Sequence, residues 1–131
     1  MQMKRFIKLI TVFFTAIFLT CCAGEGESAA YRQVSMAEAK QIMRDQEGYI
    51  ILDVRRPDEY AEGHIPNAIN VPNESIGDKE IPELPDKSQL ILVYCRSGRR
   101  SKEAAGKLSK LGYTNIVEFG GILDWDGEIE K

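Results

Sequence analysis

The sequence predicts an α/β domain with a mainly parallel sheet and helices on both faces. Three observations carry this. From Tyr31 onward, short apolar runs alternate with segments of helical period, the pattern of strands joined by crossover helices. Two of those runs, Tyr49 to Val54 and Gln89 to Tyr94, are almost continuously apolar, as strands buried on both sides are. The second run ends in Cys95 and passes through Arg96-Ser-Gly-Arg-Arg100 into a helical stretch. In open parallel sheets, sites lie at such carboxyl ends of strands.

Tyr31 to Val34 is the first strand candidate. Ser35 and Glu38 form a capping-box pattern that opens a helix. Met36, Ala39, Ile42 and Met43 give that helix one apolar face, and Gly48 should stop it. Tyr49 to Val54 is the second strand. Pro57 to Glu62 is a short helix with proline in its tolerated first turn. A turn over residues 63–67 leads to a short strand over residues 68–71. Residues 73–87 are polar and proline-bearing, with a helical turn expected near residues 75–81. After the Gln89 to Tyr94 strand, Ser101 to Leu111 reads as a helix, with Ala104, Ala105, Leu108 and Leu111 on one face and Gly112 closing it. Ser101 is the expected cap of that helix. Asn115 to Phe119 is the last strand, and Gly120-Gly121 turns into a short final helix through Trp125.

The chain has 131 residues, enough for one domain. Apolar content of 44% and charged content of 28% exclude a disordered chain. The net charge of −3 gives no sign of nucleic-acid binding.

The first residues read as an export signal. Lys4, Arg5 and Lys8 precede an apolar run from Leu9 to Thr20, shorter than the roughly 20 residues that span a bilayer. The run ends in Leu19-Thr-Cys-Cys-Ala-Gly24, which resembles the lipobox of bacterial lipoproteins. Cys22 then receives the lipid. Cys21 is the alternative, and a plain signal peptide is the blander reading. The expected organisation is a lipoprotein signal peptide over 1–21, a flexible tether over 22–30 and one domain over 31–131. That implies an extracytoplasmic protein anchored to a bacterial membrane through its N-terminal lipid. The three basic and no acidic residues before Cys22 take the net charge from −3 to −6 in the mature chain. With Cys21 removed and Cys22 modified, Cys95 is the one free thiol, so no disulfide framework is expected.

Four motifs bear a resemblance. Asp53-Val-Arg-Arg-Pro-Asp-Glu-Tyr60, Gly63-His-Ile-Pro-Asn-Ala68, Tyr94-Cys-Arg-Ser-Gly-Arg-Arg-Ser101 and Gly120-Gly-Ile-Leu-Asp-Trp125 resemble a single-domain rhodanese, in family order and spacing. The resemblance implies a parallel five-stranded sheet with flanking helices, and a persulfide carried on Cys95. There are two departures. Asn67 stands where relatives usually have glycine, and asparagine is the next best residue at positive φ. The chain also stops at Lys131, soon after Trp125, so the last helix should be short.

The chemistry expected at Cys95 follows from its loop. Loop amides and a helix N-terminus favour a thiolate there. The thiolate attacks the outer sulfur of a small anionic donor such as thiosulfate, sulfite leaves, and a thiol or cyanide takes the sulfur from the persulfide. Arg99, Arg100 and Lys102 crowd a helix N-terminus, each against the macrodipole by roughly 0.3–1 kcal/mol. A local rule broken three times points to function, and Arg99 or Arg100 is the preferred donor-binding residue. Arg96 belongs to the same cationic loop. Ser97 either donates to a bound oxyanion or closes a turn. Gly98 supplies a backbone shape that a Cβ forbids.

Asp53 reads as a structural ion pair or loop anchor that supports the site, and Arg55 as either a support or a residue facing it. His64 reads as a structural hydrogen bond, and Tyr60 and Trp125 as core. One histidine and one free cysteine make no metal pattern, and no cofactor is expected. A monomer is expected.

Two other functions compete. Cell-cycle phosphatases share this fold, but their signature places arginine six residues after the cysteine. Ser101 stands there, Arg100 comes one position early, and Tyr94 replaces their histidine. The other rival is a module that carries sulfur or binds a partner without turnover.

Overall fold

The computed structural model describes residues 30–131. The expected leader, most of the tether and Cys22 lie outside the described residues. Five strands form one parallel sheet: β1 (Arg32–Gln33), β2 (Ile50–Asp53), β3 (Ile69–Asn70), β4 (Ile91–Cys95) and β5 (Ile116–Gly121), in the order β1-β5-β4-β2-β3. Three helices connect them: α1 (Met36–Asp45), α2 (Pro57–Glu62) and α3 (Arg99–Lys110). The α/β fold class is as the alternation predicts.

Strand alternation splits the core in two. Ile91, Val93 and Cys95 of β4 pack toward α3, with Leu52, Ala104, Ala105, Leu108 and Ile116. Leu92 and Tyr94 point to the other face, with Ala39 and Ile42 of α1 and with Ile51, Val117 and Phe119. Tyr60 and Trp125 pack against this second core. Every residue of β4 is buried, as a central strand covered on both sides requires.

Several boundaries differ from the sequence reading. Ser35 caps α1, its hydroxyl accepting the Glu38 amide at 3.1 Å, but the helix ends at Asp45, before Gly48. Gln46 is already extended there, so the chain leaves the helix before reaching the glycine. The expected turn at 75–81 is instead a 3₁₀ turn at Asn73–Ser75. α3 starts two residues earlier than Ser101, because Gly98 adopts φ 109 and serves as its N-cap. Ser101 is therefore not the cap; it is the third helical residue and is fully buried. At the other end, Gly112 at φ 94 closes α3. Its amide donates to the Ser109 carbonyl at 3.0 Å and the Tyr113 amide to that of Leu108 at 3.2 Å, a Schellman closure. The final helix is a 3₁₀ turn at Ile122–Asp124. Asn67 takes φ 66, the conformation its turn demands.

Candidate active site

Cys95 ends the strand at the middle of the sheet, with its sulfur on the α3 face and 1% of its surface exposed. Its loop turns back on itself, and the Gly98 amide donates to the sulfur at 3.0 Å. This is the amide bonded to Cys95; the wider nest expected from the loop is not closed around the sulfur. Among the described residues, the first helical amides of Arg99, Arg100 and Ser101 have no bonded acceptor. They form the positive end of α3 next to Cys95.

β5 and the 3₁₀ turn that follows it hold the loop down. The Leu123 amide donates to the Arg96 carbonyl at 3.2 Å. A Cβ on Gly121 would lie 2.0 Å from that carbonyl oxygen, so the strand can approach only as glycine. Between the pairs Val93–Glu118 and Cys95–Gly121, the β5 register shifts, and Gly120 takes φ 97.

Behind the sulfur is a polar cluster. The Ser101 hydroxyl lies 3.5 Å from Cys95 Sγ and 2.6 Å from Glu118 Oε1. It also reaches the Gly98 carbonyl at 2.9 Å and the Gly120 carbonyl at 3.3 Å. Glu118 is 2% exposed, and its Oε1 also accepts the Gly120 amide at 2.9 Å. Sequence reasoning missed Glu118. The signal was an acid within the apolar run Ile116-Val-Glu-Phe119, at a position that alternation turns toward α3.

The arginines separate by role. Arg100 donates to both oxygens of Glu59, at 2.7 and 3.0 Å, so it is not a free cation. That bond, against some burial, raises its pKa further. Arg99 is exposed and pairs with Glu103, four residues on, at 2.9 Å. Arg96 is exposed and has no ion-pair partner among the described residues. Ser97 is exposed on the same rim.

Asp53 and Arg55 form a separate buried unit. Arg55 Nε donates to Asp53 Oδ1 at 3.0 Å and Oδ2 at 3.1 Å, and Nη2 to Oδ2 at 2.7 Å. Nη2 also donates to the Gly63 carbonyl at 2.7 Å, and the Tyr94 hydroxyl donates to Asp53 Oδ2 at 2.6 Å. Burial works against the Arg55 charge, yet the bonds and charge of Asp53 raise its pKa. Burial and Asp53 together push the Tyr94 phenol up. Since Tyr94 faces away from Cys95, this unit belongs to the opposite face of the sheet. Arg55 does not face the thiol loop: its fork is spent on Asp53 and Gly63. It braces the end of β2 and the following turn.

His64 has a structural role. Its ring stacks on Tyr60 with centroids 3.8 Å apart, and Nδ1 lies 2.9 Å from the Tyr60 carbonyl, so Nδ1 carries the proton. Its backbone exchanges hydrogen bonds with Glu130 at 2.9 Å.

Known proteins share this fold. The Rhodanese-like domain family matches residues 35–128. The thiosulfate sulfurtransferase PspE of Escherichia coli is 38% identical over 73 residues, covering 56% of this chain and 70% of the relative. A sulfurtransferase of Allochromatium vinosum is 34% identical over 94 residues, covering 71% of this chain and 86% of the relative. A solved rhodanese with anions from E. coli aligns with a TM-score of 0.58 at 35% identity, over 63% of this chain and 98% of that one. A thiol at the end of the central strand, under the positive end of a helix, thus sits within a family that includes sulfurtransferases, and the chain belongs to the rhodanese-like domain family.

Proposed function

We propose that the protein is a sulfurtransferase that moves a sulfane sulfur from a thiosulfate-like donor, through a persulfide on Cys95, to a thiol or cyanide. The observation that carries this is the 3.0 Å bond from the Gly98 amide to the Cys95 sulfur, at the positive end of α3. The thiolate forms an S–S bond with the outer sulfur of the donor. The donor's own S–S bond breaks, and sulfite leaves with the electron pair. The negative charge moves to the outer sulfur of Cys95, next to the first amides of α3. A nucleophile then attacks that outer sulfur and releases the thiolate, so ping-pong kinetics follow. No general base takes part in either transfer. Arg96, exposed and without an ion-pair partner among the described residues, and the Arg100–Glu59 pair border the donor's path.

The test is direct. The protein is incubated with thiosulfate and its mass measured, then cyanide is added and thiocyanate assayed. The wild type should gain one sulfur atom and turn over; Cys95→Ser should do neither. A gain in mass without thiocyanate identifies a carrier. No gain in mass overturns the reading.

A phosphatase reading finds no support in the loop. The position that needs the phosphate-binding arginine holds Ser101, buried against a carboxylate. Export and lipid anchoring through Cys22 rest on the leader motif. Labelled fatty acid should enter the wild type and not Cys22→Ala.

A further inference from the structure

The transfer proposed above has no step for the carboxylate behind Cys95. Glu118 is 2% exposed, and fully buried Ser101 stands between it and the sulfur. The 2.6 Å contact from Ser101 Oγ to Glu118 Oε1 is in the range of charge-assisted O–H···O bonds. The sulfur lies 3.5 Å from the same Oγ. A serine hydroxyl has one proton. While Ser101 donates it to the carboxylate, Oγ can only accept a bond from the Cys95 thiol. To donate to a thiolate, Ser101 must turn from Glu118 or receive a bond from its protonated form. Two ionised groups would compete for one hydroxyl in a space closed to water. Charge on the sulfur and on the carboxylate at the same time is therefore disfavoured.

We propose that Glu118 is a positioning residue that, through Ser101, disfavours charge on the Cys95 sulfur and tilts the site toward its sulfur-loaded form. This rests on the persulfide reading. In loading, Cys95 Sγ bonds to the transferred sulfur and loses its charge, while sulfite carries away the electron pair. The charge then sits on the outer sulfur. Ser101 stands between Sγ and Glu118, so an outer sulfur beside the first amides of α3 stands farther from the carboxylate than Sγ does. Glu118 therefore opposes the free thiolate more than the persulfide.

Arg100, on α3, attracts the Cys95 charge but is bound to Glu59 of α2, with Glu74 also acting on it. Arg96 and Arg99 are exposed on the rim. The Asp53–Arg55 unit lies on the opposite face.

The test has two arms, on wild type and Glu118→Gln, with Glu118→Leu as a second charge-free variant if the first does not fold. The first arm follows iodoacetamide alkylation of the Cys95 peptide against pH and needs no sulfur transfer. The midpoint should move to lower pH, with alkylation roughly tenfold faster at a pH below both midpoints, the effect of one pH unit. A Glu118 that only braced the loop would change stability and leave the midpoint in place. The second arm measures the loaded fraction by mass at a fixed thiosulfate-to-sulfite ratio, at a pH where both thiols are ionised. The loaded-to-free ratio should fall roughly tenfold in the variant, the same free energy read at equilibrium. An unmoved or raised midpoint overturns the coupling, even if the wild type loads normally. A moved midpoint with no loading of the wild type overturns the sulfurtransferase reading and the tilt with it, and leaves the coupling standing. A moved midpoint with an unchanged loaded fraction overturns the tilt alone.

Discussion

Arg100 grips Glu59 with both arms of its guanidinium, at 2.7 and 3.0 Å, and ties the start of α3 to the first turn of α2. Both side chains are 14% exposed. The pair explains how an arginine is tolerated at the second position of a helix: its charge opposes the macrodipole, but a carboxylate answers it. Glu59 also accepts the Arg56 amide at 3.0 Å, so the same group caps the start of α2 and anchors the thiol loop.

The pair predicts an acid-sensitive contribution to stability. Arg100, opposed by burial and helped by the Arg56 amide, holds the Glu59 carboxyl down at about 2 from an ordinary 4.5. A depressed carboxylate stabilises the fold above its unfolded pKa, and that stabilisation fades as pH falls from 4.5 toward about 2. Glu59→Gln should lose roughly 1–3 kcal/mol at neutral pH and show a flatter acid limb. Urea unfolding at a series of pH values checks this; parallel acid limbs for the two proteins would contradict it.

Removing the other partner should show in the kinetics. Arg100→Ala leaves Glu59 as an uncompensated anion beside the path of an anionic donor. The expected result is a higher thiosulfate KM and a fall in kcat/KM of roughly tenfold or more, about 1.4 kcal/mol. Arg100→Lys keeps the charge but loses the bidentate grip, and should recover only part of the loss. Unchanged KM and kcat in Arg100→Ala would remove Arg100 from the donor site.

Asp53→Ala should fail differently. It leaves the Arg55 guanidinium buried without its carboxylate and strips the Tyr94 hydroxyl of its acceptor. Breaking one side of a buried pair costs about 3–5 kcal/mol. Stability should fall by that order. In whatever fraction stays folded, alkylation of Cys95 should keep its wild-type pH midpoint, because the unit lies across the sheet. A displaced midpoint would show that the two faces are coupled.

The sheet was legible in the sequence because burial on both sides leaves continuous apolar runs, as at Gln89 to Tyr94. The thiol's position was legible because it closes such a run. The start of α3 was not. Ser101 has the chemistry of a cap, but Gly98 can adopt a left-handed conformation and takes that place first, which turns Ser101 inward. The partners of the arginines were not legible either. Glu59 lies far from Arg100 in sequence, and only the packing of α2 against the thiol loop brings them together. Glu118 was hidden for a related reason: alternation turns it toward α3, but only the register shift between β4 and β5 that follows it brings Ser101 and the Cys95 loop against it.

Gly121→Ala tests whether β5 shapes the thiol loop. A methyl group at this position would lie 2.0 Å from the Arg96 carbonyl oxygen and 2.5 Å from the Ser97 amide nitrogen. These are backbone atoms, so no side-chain rotation can relieve the clash. The loop must move away from β5, which stretches the bond from the Leu123 amide to the Arg96 carbonyl. The Gly98 amide, two residues further on, would move with it and lose its line to the sulfur. Overpacking of this kind typically costs about 1–3 kcal/mol. Sulfur loading should fall by a larger factor than stability alone explains, since the variant would remain mostly folded at that cost. Gly106→Ala is the control: it is helical, with nothing within 4 Å of an added Cβ, and should keep both stability and activity. Equal activity in Gly121→Ala and Gly106→Ala would mean that the thiol loop holds its shape without β5.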